Sequence, residues 1–223
     1  MTALSKTARR AGWVFLPVVT LVAVGILATT GATSPVASSS KPSLEQVLHG
    51  RALIIEHDCG GCHGGFQNPD AEGWLAGMLP TSPPGAQDFQ IGPFHTYVRN
   101  LTPDNETGLG RFSERQIFNS LRYGLRPGET PDVEITGTTP GVGNFPRIPK
   151  YLAPPMPWTA WRHMTDQELW DIAAYLKHGL KPVSNRVPDS EGPPDFWAGE
   201  YTPERYGSYP AGPFPAAMEV MPR

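Results

Sequence analysis

The two cysteines of this 223-residue chain, its only ones, are separated by two residues in the stretch HDCGGCHGG, and His63 follows the second directly. Such a pair has three interpretations: a redox disulfide, half of a metal site, or an attachment point for a larger group. Each interpretation requires a different fold around Cys59 and Cys62. The choice among them therefore constrains the architecture more than any other feature of the sequence.

The residues around the pair favour attachment. A thiol-exchange motif sits in an alternation of strands and helices, and a structural zinc site needs four ligands, normally including a second close pair. The chain has neither pattern. C-x-x-C-H at the end of a helix is the spacing for covalent haem attachment, because two thiols so spaced reach one porphyrin edge. We therefore predict one haem c, bound through Cys59 and Cys62, with His63 as an iron ligand.

Three helices are predicted from their capping signals, and they indicate a mainly α fold. Their capping boxes pair Ser43 with Gln46, Ser113 with Gln116 and Thr165 with Glu168. The first helix runs directly into the cysteine pair, and Gly179 ends the third. Gly50 is expected to let the last helix cross the first closely, near Tyr175 and Trp170. Residues 133–136 allow at most one short hairpin arm.

The N-terminal segment predicts export. Residues 11–28 carry no charge and follow three basic residues, Lys6, Arg9 and Arg10. Their length favours a transmembrane anchor over a cleaved signal peptide, although cleavage near residues 30–32 or 36–38 stays open. In either case the basic residues remain cytoplasmic. We expect a single-pass protein of the cytoplasmic membrane with its haem domain in the periplasm, or a secreted periplasmic protein if the segment is cleaved.

The charge balance of the exported part argues against nucleic-acid binding. Three of the 18 basic residues, and none of the 21 acidic ones, precede residue 41, which leaves the remainder with a net charge of −6. It contains no block of lysine or arginine. Binding of nucleic acid depends on clustered cations that neutralise phosphates. The mildly acidic surface suits a basic protein partner.

We divide the chain into four regions: an anchor at 1–30, a linker at 31–42, a compact haem domain at 43–182 and an extension at 183–223. The extension is rich in proline and aromatic residues. Proline at that density excludes helix and strand interiors, and the aromatics argue against free disorder. Two interpretations stay open for this tail: an arm wrapped over its own domain, or an arm laid on a partner subunit.

The chain resembles the class I c-type cytochromes in three stretches, CGGCH, NLTPDNETGLGRFSERQI and PPMPWTAWRHMTDQELWDIAAYL, over roughly residues 43–183. It looks closest to the small membrane-associated cytochromes c that serve bacterial dehydrogenases and oxidases. The resemblance implies the class I cytochrome c fold, with three or more helices around one covalently bound haem. An N-terminal transmembrane helix and an irregular Pro-rich tail would be added to it.

The resemblance also implies a sixth iron ligand in the loop before the last helix, where Met156 stands between prolines. Flanking prolines stiffen such a loop, so the thioether is presented with little loss of conformational freedom. His95 and His163 are the alternatives, and an open site is another. Met164 is predicted to pack in the core, and Met78 to contact the haem rim.

Further residues are assigned to the haem environment by the same resemblance. Asn100 and Thr102, with Asp104, would lie along the haem edge and help hold the propionates, with Arg99 as a counter-charge. Trp158 and Trp161 would seal the haem crevice. The other histidines are expected to face solvent: His49, His57 and His178. The segment 126–155 is longer than the usual connection in this group, which favours a functional or partner-binding role.

The predicted function is electron transfer by a single-haem c-type cytochrome between respiratory partners on the periplasmic face of the membrane. The chain itself is predicted not to be an enzyme. Its partners would be a dehydrogenase, an oxidase or another cytochrome. Two alternatives stay open: a haem enzyme or gas sensor with an open sixth coordination site, and a fixed cytochrome subunit of a larger respiratory complex.

Overall fold

The computed structural model describes residues 41–222, apart from 84, 86, 208 and 210. Its elements in chain order are α1 (Leu44–Glu56), α2 (Cys59–His63), β1 (Asp88–Ile91), β2 (Phe94–Tyr97), α3 (Glu114–Tyr123), α4 (Trp158–Trp161), α5 (Asp166–Ala174) and α6 (Pro203–Tyr206). Short helical turns lie between them at Leu109–Arg111, Pro127–Glu129 and Ala198–Glu200. The prediction of a mainly helical fold is confirmed.

The three longest helices begin at the residues that the capping signals indicated. Complete capping boxes start α3 and α5, with Ser113 bonded to Gln116 and Thr165 bonded to Glu168. At α1, the Ser43 hydroxyl accepts a hydrogen bond from the Gln46 amide at 3.1 Å, but the return bond is absent. Helix α5 continues as a π turn to Gly179, and Leu180 is extended. Local sequence therefore sets where these helices start and stop.

Helices α1 and α5 cross closely at Gly50, as predicted. A Cβ atom at this position would lie 1.9 Å from the carbonyl oxygen of Asp171 and 2.9 Å from the Cβ of Tyr175. Only a hydrogen atom fits there, so the crossing requires glycine. Around it, α1, α3 and α5 share one apolar core, which includes Leu53, Ile54, Ile117, Phe118, Leu121, Leu169, Ile172 and Leu176.

A two-stranded antiparallel hairpin spans residues 88–97, where the sequence indicated no strand. Asp88 pairs with Tyr97 and Ile91 with Phe94, so a two-residue Gly-Pro turn joins the strands. On its other edge, β2 exchanges two backbone hydrogen bonds between His95 and Glu191, at 2.9 and 2.8 Å. Residues 133–136, for which the sequence allowed at most one short hairpin arm, form no strand.

The long segment 126–155 folds against α3. Its two ends meet in a bridge between Leu125 and Tyr151, and Ile135 and Phe145 form a small second core with Leu125. The Asn119 side chain of α3 donates to two carbonyl groups of this segment, those of Pro131 and Val133, at 3.0 Å each. The segment is thus a packed loop with its own apolar centre.

The C-terminal tail lies along its own domain, in agreement with the first of its two interpretations. Trp197 is 3% exposed and packs edge-on against Phe94 with ring centroids 5.2 Å apart. Further along, Tyr201 packs against Tyr151 and Trp158 at 5.1 and 5.0 Å. The backbone is mostly irregular, as its prolines predict.

Within the described part of the chain, every helix is too short or too polar to cross a lipid bilayer. The predicted transmembrane anchor at 1–30, and all but two residues of the predicted linker, lie outside the described residues.

Candidate haem site

Helix α1 leads into the cysteine pair through a sharp turn. Its last residue is followed by His57 as the C-cap and by Asp58 in the left-handed region, with φ of 53°. This reversal lets α2 start at once as a single turn that carries both cysteines and His63. Gly60 has no room for a side chain, because a Cβ would lie 1.7 Å from the carbonyl oxygen of Phe66.

A large apolar cavity lies beside α2. Its volume is about 660 Å³, within the range of about 300–1,000 Å³ that is usual for cofactor sites. The helical wall consists of apolar side chains from α1, α3 and α5, namely Ile54, Ile117, Leu121, Ile172 and Leu176. Cys59, Cys62 and His63 line the same cavity. The structure therefore brings the motif and the space for a large planar ligand together.

The imidazole of His63 is buried and fixed in one orientation. Its Nδ1 lies 2.8 Å from the carbonyl oxygen of Arg99, so Nδ1 carries the proton and donates it, while Nε2 keeps its lone pair. Burial lowers the pKa of His63 to about 4, although the bond to Arg99 acts in the opposite direction. The ring is therefore neutral at physiological pH. A metal-binding histidine typically donates its second ring N–H to such a carbonyl group.

The two thiols differ from those of a redox motif. Both cysteines are free, with Cys59 half-buried and Cys62 exposed. Burial, followed by the charge of Asp58, raises the pKa of the Cys59 thiol to about 12. Thiol exchange instead depends on a lowered pKa that supplies thiolate. The environment of Cys59 thus argues against the disulfide interpretation.

Met156 lies in the wall of the cavity, whereas the other sixth-ligand candidates do not. Its backbone is held in a tight loop, with its N–H donating to Ala153 and its carbonyl accepting from Trp158, both at 2.9 Å. His95 is instead bonded to Asp88 at 3.1 Å, and His163 is exposed. The assignment of Met156 as a ligand stays a prediction, and its position is compatible with that role.

One buried polar atom in the cavity wall tests whether a haem fits. Ser120 of α3 lines the cavity and is 4% exposed, yet its hydroxyl oxygen has no hydrogen-bond partner within the described residues. A buried hydroxyl normally has a partner, so this atom is suited to a polar group or water brought in with a bound cofactor. Cavity size, apolar walls, the neutral His63 and the Ser120 hydroxyl all fit a haem.

Asn100 and Thr102, which were assigned to the haem edge, form hydrogen bonds to Val183 at the start of the tail. Asn100 lines the cavity, but its amide group donates to Thr107 and Val183 at 3.1 and 2.8 Å, and its oxygen accepts from Thr102. Thr102 is 1% exposed and lies outside the cavity wall, where its hydroxyl accepts from the Val183 amide at 3.1 Å. These side chains hold the start of the tail, and their contact with the haem edge stays a prediction.

The two tryptophans that were expected to seal the haem crevice lie in different places, and only Trp161 lines the cavity. Trp161 lines the cavity beside His57, at 6.4 Å between ring centroids. Trp158 lies outside the wall, stacked on Tyr151 at 5.8 Å with an angle of 7° between the rings. Its ring packs against aromatic side chains of the loop and the tail, and its role in sealing the haem crevice stays a prediction.

Of the histidines expected to face solvent, His49 and His178 are exposed as predicted, and each also has a carboxylate partner. His49 lies 2.7 Å from a carboxylate oxygen of Asp171, and His178 lies 2.6 Å from one of Glu114. His57 lines the cavity.

Sequence reasoning also missed Arg126 and four tail residues that line the cavity, namely Arg186, Val187, Asp189 and Ser190. No local signal marks them, since they reach the site from distant parts of the chain.

Comparison with known proteins finds relatives of this chain. No model of a known protein family matches the chain. The chain is 28% identical over 176 residues to the gluconate 2-dehydrogenase cytochrome c subunit of Pantoea cypripedii, which covers 74% of this chain and 32% of that protein. The resemblance to cytochrome c subunits of bacterial dehydrogenases is confirmed.

Two further relatives are also cytochrome subunits of bacterial dehydrogenases. The fructose dehydrogenase cytochrome subunit of Gluconobacter japonicus is 26% identical over 160 residues, or 72% of this chain and 26% of that protein. The alcohol dehydrogenase (quinone) cytochrome c subunit of Gluconacetobacter polyoxogenes is 27% identical over 138 residues, or 61% of this chain and 23% of that protein. The chain therefore spans about a quarter to a third of the length of these cytochrome subunits.

Proposed function

We propose that this chain is an electron-transfer subunit of a bacterial dehydrogenase complex, with one haem c bound through Cys59 and Cys62. The observation that carries the proposal is the meeting of the C-x-x-C-H turn, a neutral His63 and the Met156 loop at one apolar cavity of about 660 Å³. Bound there, haem c supplies a one-electron iron couple. The class I cytochrome c fold, with its helices around a single haem, is part of this proposal.

The side chains of the site have separable roles. His63 presents Nε2 as a ligand while Arg99 holds its other nitrogen. Met156 supplies a thioether from a loop stiffened by prolines, and a histidine–methionine pair raises the reduction potential of haem iron. The apolar wall from α1, α3 and α5 excludes water, which raises the potential further. A filled sixth position leaves no site for substrate, so the chain acts as a carrier of electrons.

A fixed subunit is better supported than a mobile carrier. The three relatives named above are cytochrome subunits of dehydrogenases, which favours the alternative of a complex over independent movement between respiratory partners. It also favours a dehydrogenase over an oxidase as the partner. We propose further that the segment 1–30 anchors the chain and that the haem domain works in the periplasm, on the strength of its uncharged stretch alone.

The first experiment tests the cofactor. The full chain, produced in a host that matures c-type cytochromes, should carry the added mass of one haem, and Cys59→Ser or Cys62→Ser should reduce covalent attachment. In the oxidised protein, a sulfur-to-iron charge-transfer band should be present. It should disappear in Met156→Ala and persist in Met218→Ala, because Met218 is 96% exposed.

Other outcomes would contradict the proposal. A colourless protein with two titratable thiols would exclude haem attachment. Rapid binding of carbon monoxide by the unmodified reduced protein would favour the haem enzyme or gas sensor. For the partner, purification in mild detergent should recover the chain together with dehydrogenase activity, whereas recovery of the chain alone would favour the mobile carrier.

A further inference from the structure

Residues 183–190 of the tail, which we call the strap, form a side of the cavity that the helices leave uncovered. Four of them line it: Arg186, Val187, Asp189 and Ser190. Val187 is 8% exposed, so this part of the strap is buried against the domain. The strap is thus a wall of the cavity, although the sequence places it beyond the last predicted helix of the haem domain.

Asn185 attaches the strap to the chain that supports His63. Its side-chain amide donates to the carbonyl oxygens of Ala76 and Met78, both at 2.8 Å, and Asn185 is 9% exposed. These two residues flank Gly77, whose backbone N–H donates to the carbonyl oxygen of His63 at 2.8 Å. One asparagine therefore fixes both the strap and the segment that holds the backbone of the proposed ligand.

Arg99 makes a second attachment of the same kind. Its guanidinium group donates to the Pro188 carbonyl at 2.7 Å and to the Ser190 hydroxyl at 2.6 Å. Its own carbonyl accepts the hydrogen bond from Nδ1 of His63 at 2.8 Å. Two of the attachments of the strap, those through Asn185 and Arg99, are therefore to residues that orient His63.

We propose that the strap closes the haem cavity and that Asn185 and Arg99 are positioning residues that couple this closure to the orientation of His63. The proposal rests on the proposed function, since it concerns the same haem. Its physical basis is that a few side-chain hydrogen bonds hold the strap in place. Their loss should open the cavity to water and small ligands while the apolar core of α1, α3 and α5 stays folded.

The test uses the full-length holoprotein and measures the rate at which added imidazole binds the ferric haem, together with the midpoint potential. Asn185→Ala leaves two buried carbonyl groups without their donor, so we expect imidazole to bind about tenfold faster or more. The potential should fall as water gains access. Asn105→Ala is the matched control, because Asn105 is exposed and lies outside the cavity wall.

Arg99→Lys tests the attachment of the strap through Arg99. This variant can replace Asn185→Ala if that protein does not incorporate haem. Lysine keeps the charge but lacks the planar fork that reaches two acceptors, so we expect a smaller change in the same direction. Arg51→Lys, at an exposed position of α1, is its control. If both variants have the same imidazole-binding rates and midpoint potentials as their controls, the proposed role of the strap is contradicted. That result would leave the proposed function intact if the unmodified protein carries haem, whereas absence of haem would contradict the proposed function itself.

Discussion

The helical wall of the cavity and the wall formed by the strap are held together in different ways. The helices begin at capping boxes that join residues three positions apart, and their apolar stripes then pack into one core. The strap is held by polar bonds between residues far apart in the chain, with 109 positions between Asn185 and Ala76 and 91 between Arg99 and Ser190. The first wall should therefore unfold only as a whole, whereas the second can loosen while the fold persists.

The largest effect is expected from Gly50→Ala in the helical wall. The added Cβ would lie 1.9 Å from the Asp171 carbonyl oxygen, and backbone atoms at a helix crossing cannot yield without separating the helices. We expect the free energy of unfolding to fall by more than about 4 kcal/mol, with little folded holoprotein. Denaturant unfolding measures this. Gly199→Ala is the control, because no atom lies within 4 Å of a Cβ there; equal stability of the two variants would contradict the close crossing.

Arg122→Met should have the next largest effect. Arg122 is 3% exposed and donates from α3 to the carbonyl groups of Arg162 and Met164, the latter at 2.8 Å, and to Asp166. Methionine fills similar space but leaves those carbonyl groups without a donor, so we expect a loss of about 2–3 kcal/mol by denaturant unfolding.

This variant also tests the support of the Met156 loop, since Arg122 connects α3 to the chain that follows Met156. The sulfur-to-iron charge-transfer band should weaken along with stability. Arg147→Met, at an exposed position, should change neither. An Arg122→Met protein with wild-type stability would show that the buried guanidinium is dispensable.

Asp195→Asn tests the tail just beyond the strap, where it is held to the 126–155 segment. The carboxylate is 8% exposed, lies 3.4 Å from both Arg126 and Lys150, and accepts the Tyr151 amide at 3.1 Å. Asparagine keeps an acceptor but removes the charge, so we expect a loss of about 1–2 kcal/mol in unfolding free energy. The helix content at room temperature should not change. Asp70→Asn, at an exposed position, is the control. A loss of helix signal in Asp195→Asn would contradict the claim that the helical wall stays folded when contacts of the tail are lost.

The smallest effect is expected from Glu168→Gln in the capping box of α5. Hydrogen bonds from the Thr165 amide, and then from its hydroxyl, lower the pKa of Glu168. A lowered folded pKa adds stability that is present above the unfolded pKa of about 4.3 and is lost as pH falls through the folded pKa. We expect a loss of about 0.3–0.5 kcal/mol at pH 7 after solvent screening.

The difference in unfolding free energy between Glu168→Gln and wild type should shrink as the pH falls below the unfolded pKa of about 4.3 and vanish below the folded pKa. Thermal unfolding across that range, with Glu72→Gln at an exposed position as the control, measures it. A difference that does not depend on pH would mean that the cap acts without its charge.

Much of the helical wall could be read from the sequence, and little of the strap could. Ser113, Thr165 and Gly179 mark helix ends because capping is a contact between near neighbours in the chain. The hairpin at 88–97 gave no comparable signal, since its edge is completed by the tail. The haem-environment roles of Thr102 and Trp158 stay predictions, and the sequence did not indicate that Thr102 bonds to Val183 of the strap or that Trp158 stacks on Tyr151.

The sequence by itself determined the C-x-x-C-H turn, the starts of the main helices and the need for glycine at their crossing, since each depends on short spacing or on one residue type. Only the tertiary structure decided that the carbonyl of Arg99 orients His63, that Met156 shares its cavity, and that Asn185 ties the tail to it. These contacts join residues that the chain separates by tens of positions. Their geometry follows from how the helices, loops and tail pack together, which no local pattern records.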